Sequence, residues 1–260
     1  MTRRPIEMKL HLLRGGKALK GLSAFLLIFP LSVASVALGQ RRVSRNFPAG
    51  KNVRVELRNI SGTITVETWN RDEIRVTAEM ETSKATFSPR ETASGLVIDI
   101  VGDNRGRSDV GDMNFKIQLP ARSSVDLETR SGQITVNNVQ GDLVRAHIWT
   151  SGDIILTSVN AGRVFATNTT GDIFFDGEFA SGGTYEFKSG KGNITLSLPA
   201  NCGFRLVATA PTKEIKMGPF WNANSLKLMS EGRRIIGDVG DGRASVTVTN
   251  FQGNIKFVRR

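Results

Sequence analysis

The chain reads as an all-β protein, a single-stranded β-helix or β-solenoid of stacked coils with a repeat of about 20 residues. Three observations predict this. A Ser/Thr-Gly-x-Ile phrase recurs along the sequence, its glycines keep a nearly constant spacing, and the apolar residues inside each phrase sit two apart. The phrase appears as Ser61-Gly62-Thr63-Ile64-Thr65-Val66, Ser131-Gly132-Gln133-Ile134-Thr135-Val136, Ser151-Gly152-Asp153-Ile154-Ile155-Leu156 and Thr170-Gly171-Asp172-Ile173-Phe174-Phe175. It returns as Gly192-Asn193-Ile194-Thr195-Leu196 and, near the C-terminus, as Gly253-Asn254-Ile255-Lys256-Phe257. The central glycines, 132, 152, 171 and 192, are separated by 20, 19 and 21 residues.

The alternation within a phrase is that of a strand with one buried face. A strand with two inward side chains cannot bury them alone, so successive units must stack and satisfy each other's backbone groups. Stacking at about 4.8 Å would align Ile134, Ile154, Ile173 and Ile194 in one interior ladder. A second set of glycines, Gly141 and Gly162, divides each period into two strand-turn units. Glycine recurs where the chain turns sharply, because residues with a Cβ enter those backbone conformations at a cost.

In chain order, residues 1–21 are basic and 22–38 are largely apolar, and the small residues Ala37 and Gly39 flank Leu38. That is the order of a secretory signal peptide over 1–39, cleaved before Gln40, with a retained membrane anchor as the alternative. Six of the 35 basic residues and one of the 24 acidic ones fall in this segment, so the formal charge drops from +11 to +6 on its removal. The remaining cations are scattered, which argues against a nucleic-acid partner. No later stretch has the length and hydropathy of a transmembrane helix. Residues 40–260 are expected to form one domain: irregular strands at 53–57, 62–67, 74–78, 96–100 and 115–119, a polar loop over 102–112, regular coils over about 121–217, and a closing cap over about 218–260. Cys202 is the lone cysteine, so packing rather than an internal disulfide must stabilise the chain.

The repeated phrases, together with Trp69, the run Asp72-Glu73-Ile74-Arg75-Val76, and the Leu-Pro pairs Leu119-Pro120 and Leu198-Pro199, resemble the bacterial putative-adhesin β-strand-repeat domain over about residues 50–258. The resemblance implies a β-helix-like solenoid on an exported or envelope-associated protein, without established enzymatic residues. The sequence departs from the pattern at Thr212-Lys213-Glu214-Ile215-Lys216.

Two groups of residues are candidates for chemistry. Asp153 and Asp172 occupy equivalent points of adjacent coils, where paired carboxylates either hold calcium or act as a glycosidase acid pair, or else hydrogen-bond local backbone at a turn. Arg145, His147 and Trp149 lie where the interval from Gly141 to Gly152 is 11 residues, against 9 from Gly162 to Gly171; two extra residues would bulge the strand and present the three side chains outward, or simply form an irregular corner. Outward-pointing rings such as Phe174 and Trp149 either face a glycan or a partner or lie under loops. With His147 the only histidine after the leader, neither a His-rich metal site nor a Ser-His-Asp relay is on offer, and no glycine loop precedes a helix to cradle phosphate. No catalytic residue, metal or cofactor is therefore expected. The expected role is an exported periplasmic, envelope-associated or secreted module that binds or scaffolds a cell-surface glycan, envelope component or protein. A polysaccharide-acting enzyme and an envelope-stress accessory are the alternatives.

Overall fold

A computed structural model describes residues 41–222 and 224–260; the expected leader over 1–39 and its cleavage point lie outside them. The N-terminal strands are β1 (Arg41–Pro48), β2 (Arg54–Asn59), β3 (Ile64–Trp69), β4 (Glu73–Met80), β5 (Arg90–Thr92), β6 (Gly95–Asp99) and β7 (Met113–Pro120). The middle of the chain forms β8 (Ser124–Thr129), β9 (Ile134–Asn137), β10 (Leu143–Ser151), β11 (Ile154–Val159), β12 (Arg163–Thr170), β13 (Ile173–Gly177), β14 (Thr184–Lys191) and β15 (Ile194–Leu198). The last are β16 (Phe204–Thr209), β17 (Ile215–Lys216), β18 (Leu226–Met229), β19 (Arg234–Val239), β20 (Ala244–Gln252) and β21 (Ile255–Arg259).

These strands build the two long sheets of a β-solenoid. Sheet A runs β1-β4-β7-β3-β9-β11-β13-β15-β21-β17 and sheet B runs β18-β19-β16-β20-β14-β12-β10-β8-β2-β6-β5. Each coil gives one strand to sheet B and the next to sheet A, so equivalent strands stack in parallel. Ile134, Ile154, Ile173 and Ile194 are in register on sheet A, and the column extends to Ile64 on one side and Ile255 on the other. All six side chains are buried. In the C-terminal half the interior is filled by larger groups: Phe175 packs on Phe179, Tyr185 and Phe187, while Phe204 stacks on Phe257 with centroids 5.9 Å apart. The buried Tyr185 hydroxyl donates to Ala161 O and accepts from Ala180 N, so it carries no unpaired polar cost.

One corner shows why glycine recurs. Gly132, Gly152, Gly171 and Gly192 all have positive φ, and a Cβ added to any of them would overlap the carbonyl oxygen of the equivalent glycine in the adjoining coil. The close approach and the backbone conformation independently demand the residue without a side chain. Immediately inside this corner, the buried Asn59, Thr129, Asn168, Ser189 and Asn250 occupy the last inward position of their sheet B strands. They satisfy corner carbonyls: Asn168 Nδ2 donates to Gly152 O at 3.0 Å and Asn250 Nδ2 to Gly192 O at 2.8 Å. Ile148 takes this place in β10 and breaks the polar ladder.

The stacking order departs from chain order at both ends. β2 and β3 lie between the β6–β7 coil and the β8–β9 coil, although they precede both in sequence. At the other end β20 lies between β14 and β16, and β21 between β15 and β17. The segment expected to cap the stack over 218–260 is thus divided: β18 and β19 cover the end with antiparallel pairing, while 244–259 forms an interior coil. Antiparallel strands also close the N-terminal end, with β4 and β1 on sheet A and β5 on sheet B. Such closure blunts edges that would otherwise template association. The irregular run at 212–216 gives only the two-residue strand β17 at a sheet edge.

Candidate functional site

Trp149, Asp153 and Asp172 lie at the corner that joins sheet B to sheet A, Arg145 and His147 stand on the β10 strand leading into it, and the five candidates form three separate arrangements. Arg145, His147 and Trp149 alternate on the outward face of β10. A bulge is present: Ile148 opposes Asn168 and Ser151 opposes Thr170, so Trp149 and Thr150 together face Thr169. The strand holds one extra residue rather than the two suggested by glycine spacing, because Leu143 pairs with Arg163 and Gly162 therefore aligns with Asp142, one place beyond Gly141.

His147 and Trp149 come together, with ring centroids 4.2 Å apart. The Trp149 indole N–H donates to Glu128 Oε1, and 55% of the residue remains exposed. Burial pushes the His147 pKa below its ordinary value against the opposing field of Glu128, and Arg145 pushes it the same way as burial. Arg145 does not join the two rings; its guanidinium pairs with Asp126 at 3.1 Å, and Asp126 is shared with Arg54 at 3.0 Å. Beside Trp149 lies an open recess of about 460 Å³ bordered by Arg58, Val101, Glu128 and Arg130. Arg58 approaches Glu128 at 3.8 Å, and Val101 is 46% exposed.

Asp153 and Asp172 are adjacent, as their positions in the repeat imply, and are engaged in a ladder. Asp153 Oδ1 accepts the Asp172 backbone N–H at 2.8 Å, Asp172 Oδ1 accepts that of Asn193 at 2.7 Å, and Asn193 Oδ1 accepts that of Asn254 at 3.2 Å. The carboxylates thus bond the backbone of the next coil rather than their own turn. Among the described residues, no three His, Cys, Asp or Glu side chains converge as metal ligands would. Asp172→Ala is expected to cost about 1 kcal/mol in denaturant unfolding, while Asp172→Asn, whose amide oxygen accepts the same bond, stays within about 0.5 kcal/mol. A calcium-binding pair would give the opposite pattern, with Asp172→Asn losing a calcium-dependent rise in stability.

Cys202 is buried, and burial pushes its thiol pKa up, which makes it a packing residue rather than a nucleophile. Glu128, Arg58, Arg130 and Val101 were not singled out by sequence reasoning, since they belong to other coils. One signal locates this corner in the sequence: two residues before each corner glycine stand Ile60, Arg130, Thr150, Thr169, Gly190 and Phe251. No helix among the described residues is long and apolar enough to cross a membrane.

The model of the family described as Toastrack DUF4097 matches residues 104–257. Among solved structures, a putative cell adhesion protein from Clostridium sporogenes is similar at 13% identity and a TM-score of 0.50, over 85% of this chain and 100% of that one. A putative adhesin from Bacteroides fragilis is similar at 10% identity and a TM-score of 0.37, covering 85% and 99% of the two chains. A putative lipid binding protein from Parabacteroides distasonis gives 9% identity and a TM-score of 0.28, covering 83% and 96%. The first of these likenesses establishes a shared fold. No curated protein matches the chain.

Proposed function

Because this chain belongs to the Toastrack DUF4097 family, whose model spans more than half of it, we propose that it is a non-enzymatic, adhesin-like module that is exported to the cell envelope and binds surface material there. Residues 1–39 serve as the export leader in this reading, and residues 40–260 as the binding domain. The observation that carries it is how the polar groups are used. Asp153 and Asp172, the pair a hydrolase would need, are committed to the coil-to-coil backbone ladder, while the rings of Trp149 and Phe174 stay open to solvent on a rigid stack. Side chains fixed on stacked strands present a preorganised surface, which lowers the ordering cost of binding. Exposed aromatic groups on such a surface are the residue type that most often anchors an interface.

The test is cosedimentation of the purified chain with isolated outer membrane, peptidoglycan and surface-polysaccharide fractions, alongside a calcium titration of thermal stability. Retention on at least one envelope fraction without a calcium-dependent shift is expected. Failure to bind every fraction overturns the proposal, as does turnover of a polysaccharide fraction.

A further inference from the structure

We propose that the solenoid corner running from the recess beside Trp149 to Phe251 is a trough for an acidic oligosaccharide, an assignment that rests on the envelope-binding reading and gives it a ligand class. Flanking this corner on the inside is the buried Asn/Thr/Ser ladder, and on the outside are the stacked glycines and the Asp/Asn ladder. Those columns repeat because the fold requires them. The column between them does not repeat: Arg130, Trp149 with Thr150, Thr169, Gly190 and Phe251 follow one another. Folding fixes a residue type there only at Gly190, where an added Cβ would meet the Thr169 carbonyl oxygen, and the column carries two large rings, 55% and 47% exposed at Trp149 and Phe251.

The geometry suits an extended chain. Trp149 and Phe251 are three strand steps apart, about 14 Å at the usual spacing of about 4.8 Å. The small residues Thr169 and Gly190 lie between them in register, leaving a trough floor bounded by a ring at each end. Both rings associate with the same outward row of sheet B, Trp149 with His147 and Phe251 with Lys188, whose ammonium lies 5.9 Å from the ring centroid. Thr167 separates His147 from Lys188 in that row and turns a hydroxyl-bearing side chain to the same face.

The chemistry selects a sugar with negative charge. Pyranose rings present flat C–H faces to aromatic surfaces, and a cation stands beside each ring here: Arg130 and Arg58 in the recess at Trp149, Lys188 at Phe251. The carboxylates along the corner are all engaged: Glu128 is held by the Trp149 indole and faces Arg58, and on the outer flank Asp153 and Asp172 each accept a backbone N–H of the next coil. Ring faces flanked by cations complement uronic-acid units, whose carboxylates would meet the charges while the sugar rings stack. An extended peptide fits less well, because the strands beneath this corner are paired on both sides and offer no open edge for strand addition.

Calorimetric titration of the full chain with hexagalacturonate, and with cellohexaose as a neutral hexamer, tests the assignment. The acidic hexamer is expected to bind with an affinity that falls as salt rises, and the neutral one to bind much more weakly. Trp149→Ala and Phe251→Ala should each weaken binding about tenfold or more, with Trp149→Phe restoring much of it and Leu228→Ala, at an exposed position of the terminal strand β18, leaving it unchanged. Thermal unfolding of each variant separates lost binding from lost fold. Full binding by both alanine variants, or equal affinity for the two hexamers, overturns the trough. If the chain binds envelope fractions but not hexagalacturonate, the acidic-sugar assignment falls and the envelope-binding reading stands; if it binds neither, both fall.

Discussion

Gly152→Ala is expected to destabilise the solenoid by more than about 3 kcal/mol, while Gly162→Ala changes it by no more than about 0.5 kcal/mol. The two glycines lie ten residues apart, at successive turns of the solenoid, and differ in backbone conformation and in surroundings. Gly152 has φ of +147°, and an added Cβ would overlap the carbonyl oxygen of Gly132. A backbone conformation of this kind costs a residue with a side chain about 1–3 kcal/mol. The overlap adds to that, because the obstructing atom is backbone held by its own ladder and cannot swing aside. At Gly162 the nearest atom to an added Cβ is Asp142 Oδ1 at 3.5 Å, an ordinary contact at the end of an exposed side chain. In a chain of this size the first substitution should lower the melting temperature by about 10 °C. Circular-dichroism melts of the two variants measure the difference; equal melting temperatures would remove the close-stacking explanation of the repeated glycines.

Deleting residues 244–260 is expected to unfold much more than the residues removed. If this segment were a terminal cap, its loss would fray one end of the stack. It is instead an interior coil, hydrogen-bonded to β14 and β15 on one side and to β16 and β17 on the other. Four of its side chains, Val246, Val248, Ile255 and Phe257, are buried. At about 1.5–3 kcal/mol each, their burial supplies about 6–12 kcal/mol, comparable with the net stability of an entire domain. The deletion also removes the ring that stacks on Phe204 and the parallel partner of β16. Amide exchange should therefore show loss of protection across 204–239, while residues 124–170 stay protected because stacked coils depend chiefly on their nearest neighbours. Retained protection at β16 and β19 in the shortened chain would contradict the inserted-coil topology.

The parts of the molecule that were legible beforehand are those governed by local pattern. Two-residue alternation decides which side of a strand faces inward, and Ile134, Ile154, Ile173 and Ile194 stack as their spacing implies. The expected strands over 53–119 match β2, β3, β4, β6 and β7 in place, with Ile100 turning into a single helical turn, Ile100–Asp103. β1 was missed because Arg41, Arg42, Ser44 and Arg45 hide its strand character under charge, and its existence depends on pairing with β4. For the candidate site, the repeat placed Asp153 and Asp172 side by side but not their acceptor role, since the donors belong to residues in the next coil. Glycine spacing located the irregularity at Trp149 yet overcounted it, because Gly162 moves one register step relative to Gly141.

By itself, then, the amino-acid order determined an all-β stack, its inward columns, its glycine corners and the position of its irregular coil. Tertiary structure alone decided where the first and last coils insert into the stack, and so which side chains from distant segments surround Trp149. The physical reason is that equivalent strands of a repeat present nearly the same backbone edge and the same alternating apolar face to any neighbour. Choice among those neighbours rests on long-range fit, such as Phe257 against Phe204, which no local periodicity contains.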